Sequence, residues 1–269
     1  GLRTEDKAKK DNAYQLPRIG FFNDTERDAV KGAEVYGGIK AGFVSGQATE
    51  DIVAKSILGS SELGSYRSPD QVLNYVEAHD NFNLHDLLAE LHPDDDVLTR
   101  TKRIELATAM NLLMQGMAFM EVGQEFSRTK LVATGEDGQV LHSDRERAMN
   151  SYNAPDTVNQ VNWNLLQDHQ ESIDFIKDII RLKTSCKAFS YQTYEDIYKH
   201  VFVQSAEQGS GLIIFEIKDD KHYQVIFNAS GLPYYLSNAD KLRLLVGNSR
   251  HKKPFYVENL TVSVFEVIQ

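Results

Sequence analysis

Three groups of residues in this chain combine side-chain types and spacing suited to chemistry on a ligand. The first is Tyr75-Val-Glu-Ala-His-Asp-Asn-Phe-Asn83, which follows an apolar strand pattern. In a parallel α/β barrel the C-terminal end of a strand carries the active site. Placed there, His79 and Asp80 can hydrogen-bond adjacent hydroxyls of a sugar ring. An anionic Asp80 can also stabilise positive charge developing at an anomeric carbon. Two other readings stand beside this one. The pair can satisfy backbone groups at a strand-to-helix turn, or His79, Asp80, His85 and Asp86 can gather round a metal ion. Asn83 with an acidic residue three positions on fits a helix N-cap, which accounts for Asp86 without a metal.

The second group is Gly116-Met-Ala-Phe-Met-Glu-Val-Gly-Gln-Glu-Phe-Ser-Arg-Thr-Lys130. A buried strand would deliver Gln124, Glu125, Arg128 and Lys130 to its C-terminal end, as a ligand-site rim or as ion pairs that close the strand end. The second reading is preferred for Glu125. The third group is Asn150-Ser-Tyr-Asn-Ala-Pro-Asp-Thr-Val-Asn-Gln160, where Tyr152, Asn153 and Asp156 offer the amide, hydroxyl, aromatic and carboxylate mixture that binds saccharides. Its plain alternative is a turn-rich loop capped by its own Asn and Asp side chains. Trp163 is read as a packing anchor for this loop in preference to a sugar platform.

The elements that must position these groups are legible from periodicity. Helices are predicted at residues 23–30, 49–58, 84–91, 97–115 and 172–186, and buried strands at 72–76 and 117–122. Residues 31–46 are glycine-rich and read as loop. Strands alternating with helices argue for a parallel sheet with helical crossovers. The texture changes near residue 187. Beyond it, strand candidates at 200–204, 212–218, 223–228, 234–237, 242–246 and 260–267 read as an antiparallel β-sandwich, with turns at Gly209–Gly211 and Lys218–Lys221. The expected class is thus α/β followed by all-β, divided as 1–187 and 188–269.

Composition narrows the partners. Lys and Arg number 29 against 39 Asp and Glu, a formal net charge of −10. That charge repels a phosphate backbone, so nucleic acid is not expected, whereas a neutral sugar is not penalised. No apolar run approaches the ~20 residues of a membrane helix. The polar start shows no signal-peptide pattern, which leans cytoplasmic. The single Cys186 excludes an internal disulfide and is read as a buried structural thiol. Sequons at Asn23, Asn228 and Asn259 are read as chance.

Val76-Glu-Ala-His-Asp-Asn81 resembles the fourth conserved region of the α-amylase superfamily. Val122-Gly-Gln-Glu-Phe with Arg128-Thr-Lys130, and Asn150-Ser-Tyr-Asn-Ala-Pro-Asp156, are similar to the type I pullulanases, the α-1,6-debranching members. Ile19-Gly-Phe-Phe-Asn-Asp-Thr-Glu-Arg-Asp-Ala-Val-Lys-Gly32 resembles the stretch around their sixth barrel strand. The resemblance spans roughly residues 17–188.

It implies the C-terminal part of a (β/α)8 barrel, about strands six to eight, and then the family's β-domain. It implies Asp80 as transition-state stabiliser and His79 beside it at the −1 subsite. Asn81 and Phe82 would border the +1 side. Arg128, Tyr152, Asn153 and Asp156 would help to shape the subsites for a branched α-glucan. A retaining mechanism also needs a nucleophile and a general acid. The two candidate motifs, Arg3-Thr-Glu-Asp6 and Gly135-Glu136, lack the strand context, so both groups are expected to be absent. The chain is then expected to be inactive alone and to pair with a missing N-terminal part or self-associate through an open barrel edge. No cofactor or metal is called for. The runner-up reading is a non-catalytic α-glucan-binding module displaying Tyr234 and Tyr235; a metal phosphohydrolase built on His79 and Asp80 is a weaker third.

Overall fold

The computed structural model describes residues 3, 7–35, 38–132, 135, 137, 139–249 and 255–268. A short strand β1 (Phe21–Phe22) leads into α1 (Asp24–Val30), whose N-cap Asn23 accepts from the Glu26 amide. The hairpin β2 (Gly32–Val35) and β3 (Gly38–Ala41) and the helix α2 (Glu50–Ile57) return the chain to β4 (Val72–Asn74). From there α3 (Leu84–Leu91) and α4 (Val97–Leu113) lead to β5 (Met117–Ala118). β1 and β5 each pair in parallel with the central β4, through Phe21 opposite Val72 and Leu73 opposite Met117.

Within residues 31–46, which the sequence reads as loop, Gly32–Val35 and Gly38–Ala41 pair as antiparallel strands. Their glycines serve close backbone approach, because a Cβ on Gly32 would collide with the Lys40 carbonyl and one on Gly42 with the Gly32 amide nitrogen. The parallel strands are shorter than the apolar runs that announced them. Side-chain amides take over where the ladder ends. Asn74 donates to the Gln115 carbonyl at 2.9 Å and accepts from the Asn23 amide at 2.9 Å, all inside the core.

The segment after β5 carries α5 (His142–Met149), α6 (Asp156–Asn159) and then α7 (Gln170–Ser185) and α8 (Tyr194–His200). α4 buries every residue from Ile104 to Leu113, so its second half is enclosed all round, and α7 buries Ile173 and Ile176. Cys186 is half-buried at the end of α7 and donates its thiol to the Tyr223 hydroxyl at 3.3 Å.

The C-terminal strands are β6 (Val201–Ser205), β7 (Leu212–Lys218), β8 (His222–Asn228), β9 (Tyr234–Tyr235), β10 (Leu242–Gly247), β11 (Tyr256–Val257) and β12 (Thr261–Val267). Five of them form one antiparallel sheet in the order β10-β12-β8-β7-β6, while β9 and β11 pair as a separate ribbon. Alternation explains the packing. Ile213, Phe215 and Ile217 face the helices and share a core with α2, α4 and α7, whereas Ile214 and Ile226 face Val257 of the ribbon. Of the all-β part anticipated from sequence, the described residues form a five-stranded antiparallel sheet, covered by helices on one face and by the two-stranded ribbon on the other.

One polar joint ties the helical part to this sheet. The buried Glu50 carboxylate, in the first turn of α2, accepts from the amides of Gly209 at 3.1 Å and Gly211 at 2.7 Å, in the turn before β7. Two of the three sequon asparagines, Asn23 and Asn228, are buried, so neither presents a glycan acceptor in the folded chain.

Candidate functional site

The connection from β4 to α3 alternates between buried anchors and an exposed tip. Tyr75 donates to Asp24 Oδ1 and accepts from Arg27 Nη1, both at 2.6 Å. Glu77 lies inside and accepts from the Leu84 amide at 2.7 Å, so it caps α3. Burial pushes its carboxyl up to about 8, and the nearby Glu121 and Asp86 add to the rise. Between these anchors His79 and Asp80 stand out into solvent, with side chains 66% and 68% exposed and Nε2 to Oδ1 at 3.2 Å.

That geometry separates the readings left open by sequence. Among the described residues Glu77 satisfies the backbone of this turn, and the side chains of His79 and Asp80 make no such bond. Asn83 occupies the N-cap position but makes no cap with its side chain, which donates instead to the Arg128 carbonyl at 3.3 Å. Asp86 is not an N-terminal cap partner either. Its carboxylate is buried and accepts from the Thr129 hydroxyl, the Lys130 amide at 2.8 Å and the His85 ring at 3.2 Å. Among the described residues no group of three or more His, Cys, Asp or Glu could hold a metal ion.

Asn81 takes a left-handed φ of +66°, a conformation Asn tolerates better than most residues. Phe82 is buried against Leu87 and Ala148. Its backbone is gripped from the hairpin: Lys31 Nζ donates to the Phe82 carbonyl and the Phe82 amide donates to Glu34 Oε1, each at 2.8 Å. Burial draws the Lys31 ammonium down, and Glu34 beside it pulls the other way. Sequence reasoning missed this pair because residues 31–46 read as loop. The apolar alternation of Ala33 and Val35 with Ile39 and Ala41 about Gly37-Gly38 was the available signal.

The three groups found in the sequence come together here. Asp80 forms a backbone bridge with Asn150, which brings the 150–160 segment to the His79–Asp80 tip. On that segment Tyr152 is exposed, as are Asn153 and Asp156. Arg128 is not on the rim. It is buried, and its guanidinium donates to Glu121, the Val122 carbonyl and the Asn159 carbonyl, so it braces the loop from beneath. Glu121 also pairs with Lys130 at 3.4 Å. The strand-end ion pair assigned to Glu125 is thus made by Glu121, four residues closer to β5. Trp163 packs its ring on Phe126, with centroids 5.9 Å apart, yet is 58% exposed. Of the two carboxylate motifs set aside in the sequence, Thr4, Glu5, Asp6 and Glu136 lie outside the described residues.

No family model matches the chain. Individual proteins do. Pullulanase from Bacillus subtilis is 35% identical over 206 residues, a match that covers 74% of this chain and 26% of that protein. The crystal structure of an Anoxybacillus sp. LM18-11 pullulanase in complex with maltotetraose superposes with a TM-score of 0.83 at 30% identity, covering 99% of this chain and 38% of that one. The type I pullulanase of Bacillus subtilis in complex with maltose gives 0.81 at 29% identity, covering 100% and 38%. The chain thus spans well under half the length of these relatives. With this sequence identity and a shared fold over nearly all its residues, the chain is a homologue of the pullulanases, glycoside hydrolases of the α-amylase family, and matches one part of their length.

Proposed function

We propose that this chain supplies one part of the active centre of an α-1,6-glucan-debranching hydrolase. The observation that carries the reading is the exposed His79–Asp80 pair. It stands at the C-terminal end of β4 on rigid buried anchors, with the Asn150 segment bridged to it. In this reading β1, β4 and β5 are strands six to eight of a (β/α)8 barrel, residues 188–269 form its β-domain, and the remaining strands come from other parts of a longer enzyme.

The mechanism proposed for these residues is electrostatic. As the glycosidic bond breaks, charge grows at the anomeric carbon, and a fixed Asp80 carboxylate stabilises it more than it stabilises the substrate. His79 donates to a ring hydroxyl and orients the sugar. Asn81, Tyr152, Asn153 and Asp156 line the approach for the branched glucan. Phe82 and Arg128 act one layer below, holding the loops. The nucleophile and the acid/base of a retaining reaction are supplied from outside this chain.

The test is reducing-sugar release from pullulan. The chain alone is expected to be inactive, and active when combined with the complementary part of the Bacillus subtilis pullulanase. Asp80→Asn in the combined enzyme is expected to lower kcat by roughly 10²–10³-fold, the scale of losing one preorganised electrostatic group. An unchanged kcat would remove Asp80 from the mechanism. Hydrolysis by the chain alone would mean that it carries the other two carboxyl groups itself.

The non-catalytic α-glucan-binding reading draws on one feature, the exposed Tyr235 ring set 5.7 Å from Tyr256 on the β9–β11 ribbon. It requires that Tyr235→Ala abolish glucan binding by this chain while Asp80→Asn leaves it intact.

A further inference from the structure

Trp163 opens a 3-10 turn, Trp163–Leu166, that is capped by its neighbour: Asn162 accepts from the Asn164 amide at 3.2 Å. The indole is braced from below by the fully buried Phe126, with ring centroids 5.9 Å apart and planes tilted by 45°. It is therefore held in place yet more than half exposed. A large aromatic side chain kept rigid at the surface can bind a ligand face with little loss of conformational entropy.

The indole forms one wall of a cavity of about 470 Å³. That volume is in the range of small-molecule sites. Gln160, Asn162, Asn164 and Thr157 line it with amide and hydroxyl groups. Among the described residues no carboxylate lines it, and its one cation is Arg128, whose Nη1 and Nη2 donate to Glu121 and two carbonyls while its buried Nε has no partner. The recess thus combines an aromatic ring with mostly neutral donors and acceptors among the described residues. Such a pairing suits the C–H face and the hydroxyl rim of a sugar ring.

We propose that the Trp163 recess is a second carbohydrate-binding site, distinct from the His79–Asp80 tip and lined by neither of those residues. It takes a short stretch of a neutral oligosaccharide, with one ring laid on the indole and its hydroxyls bonded by the amides of Gln160 and Asn164. That the oligosaccharide is an α-glucan rests on the function proposed above. The site would hold a second part of the chain whose branch lies at Asp80.

Trp163 is the single tryptophan, so indole emission reports this recess alone. Maltotetraose titrated into the chain is expected to change that emission saturably, both in the native protein and in Asp80→Asn. Calorimetric affinity is expected to fall about 10-fold in Trp163→Leu and about 3-fold in Gln160→Ala, with circular dichroism unchanged. Emission that stays flat through the titration would overturn the proposal, as would unchanged affinity in both variants. Loss of the emission response in Asp80→Asn would also overturn it, since the sugar would then sit at the tip. The readouts fail separately: pullulan hydrolysis tests Asp80 without reference to Trp163, and indole emission tests the recess without any turnover.

Discussion

Lys31 and Glu34 grip the two sides of one residue. The lysine ammonium donates to the carbonyl of Phe82 and the glutamate accepts from its amide, each at 2.8 Å, while the two charges lie 4.0 Å apart. Their side chains are 0% and 4% exposed. The loop that presents His79 and Asp80 is thus held by a buried ion pair rather than by its own sequence.

Removing one partner of that pair strands the other in the core. Lys31→Met is expected to cost roughly 3–5 kcal/mol, the usual cost of an uncompensated buried charge. The double variant Lys31→Met with Glu34→Gln is expected to lose less than the sum of the single losses. Urea unfolding of the four proteins, read as a double-mutant cycle, gives the coupling directly. Additive losses would mean that the two charges do not interact.

Glu50 is the second buried joint. Glu50→Ala leaves the amides of Gly209 and Gly211 without their acceptor and is expected to destabilise by roughly 1–3 kcal/mol. Exchange of the Gly211 amide with solvent should quicken in the same variant. If unfolding midpoints match the native protein, water serves those amides equally well.

Two buried carboxyls set a pH dependence. Burial raises both Glu26 and Glu77 to about 8 in the folded chain, above the 4.5 of an exposed glutamate. Between those values the folded state binds more protons than the unfolded one, so stability falls as pH rises. The contribution is complete below about 4.5 and is lost as pH passes about 8. Each group adds a slope of up to about 1.4 kcal/mol per pH unit within that window. Urea midpoints measured from pH 5 to pH 8 should decline, and Glu26→Gln should flatten the decline. A midpoint that rises across this range would contradict the assignment.

Asp80→Asn separates site from scaffold. Its carboxylate is 68% exposed, so the substitution is expected to change stability by less than about 0.5 kcal/mol. Glu77→Ala, three residues earlier and buried, removes the cap of α3 and is expected to cost about 1–2 kcal/mol. Thermal unfolding of the two variants side by side checks the contrast, and a large loss in Asp80→Asn would make that residue structural.

Much of the molecule could be read along the chain. The helix over residues 84–91 announces itself by a period of 3.6, the local record of one buried face. The helix over 97–113 and the central strands of the C-terminal sheet do so by apolar and β-branched runs, because much of their length is covered on both sides. The order of the motifs and the His79–Asp80 doublet were equally visible, since they depend only on neighbours in sequence. The pairing of β2 with β3 left an apolar alternation in the sequence, but its close backbone packing was not visible, because glycine marks a tight backbone approach and a loose loop alike. Nor was the choice of Glu121 over Glu125 as partner of Arg128 and Lys130, the burial of Arg128, or the exposure of Trp163. Those depend on which side chains meet through space once β5 and α7 are packed. A charge takes the partner that spares it desolvation, and only the tertiary structure decides which partner is near enough.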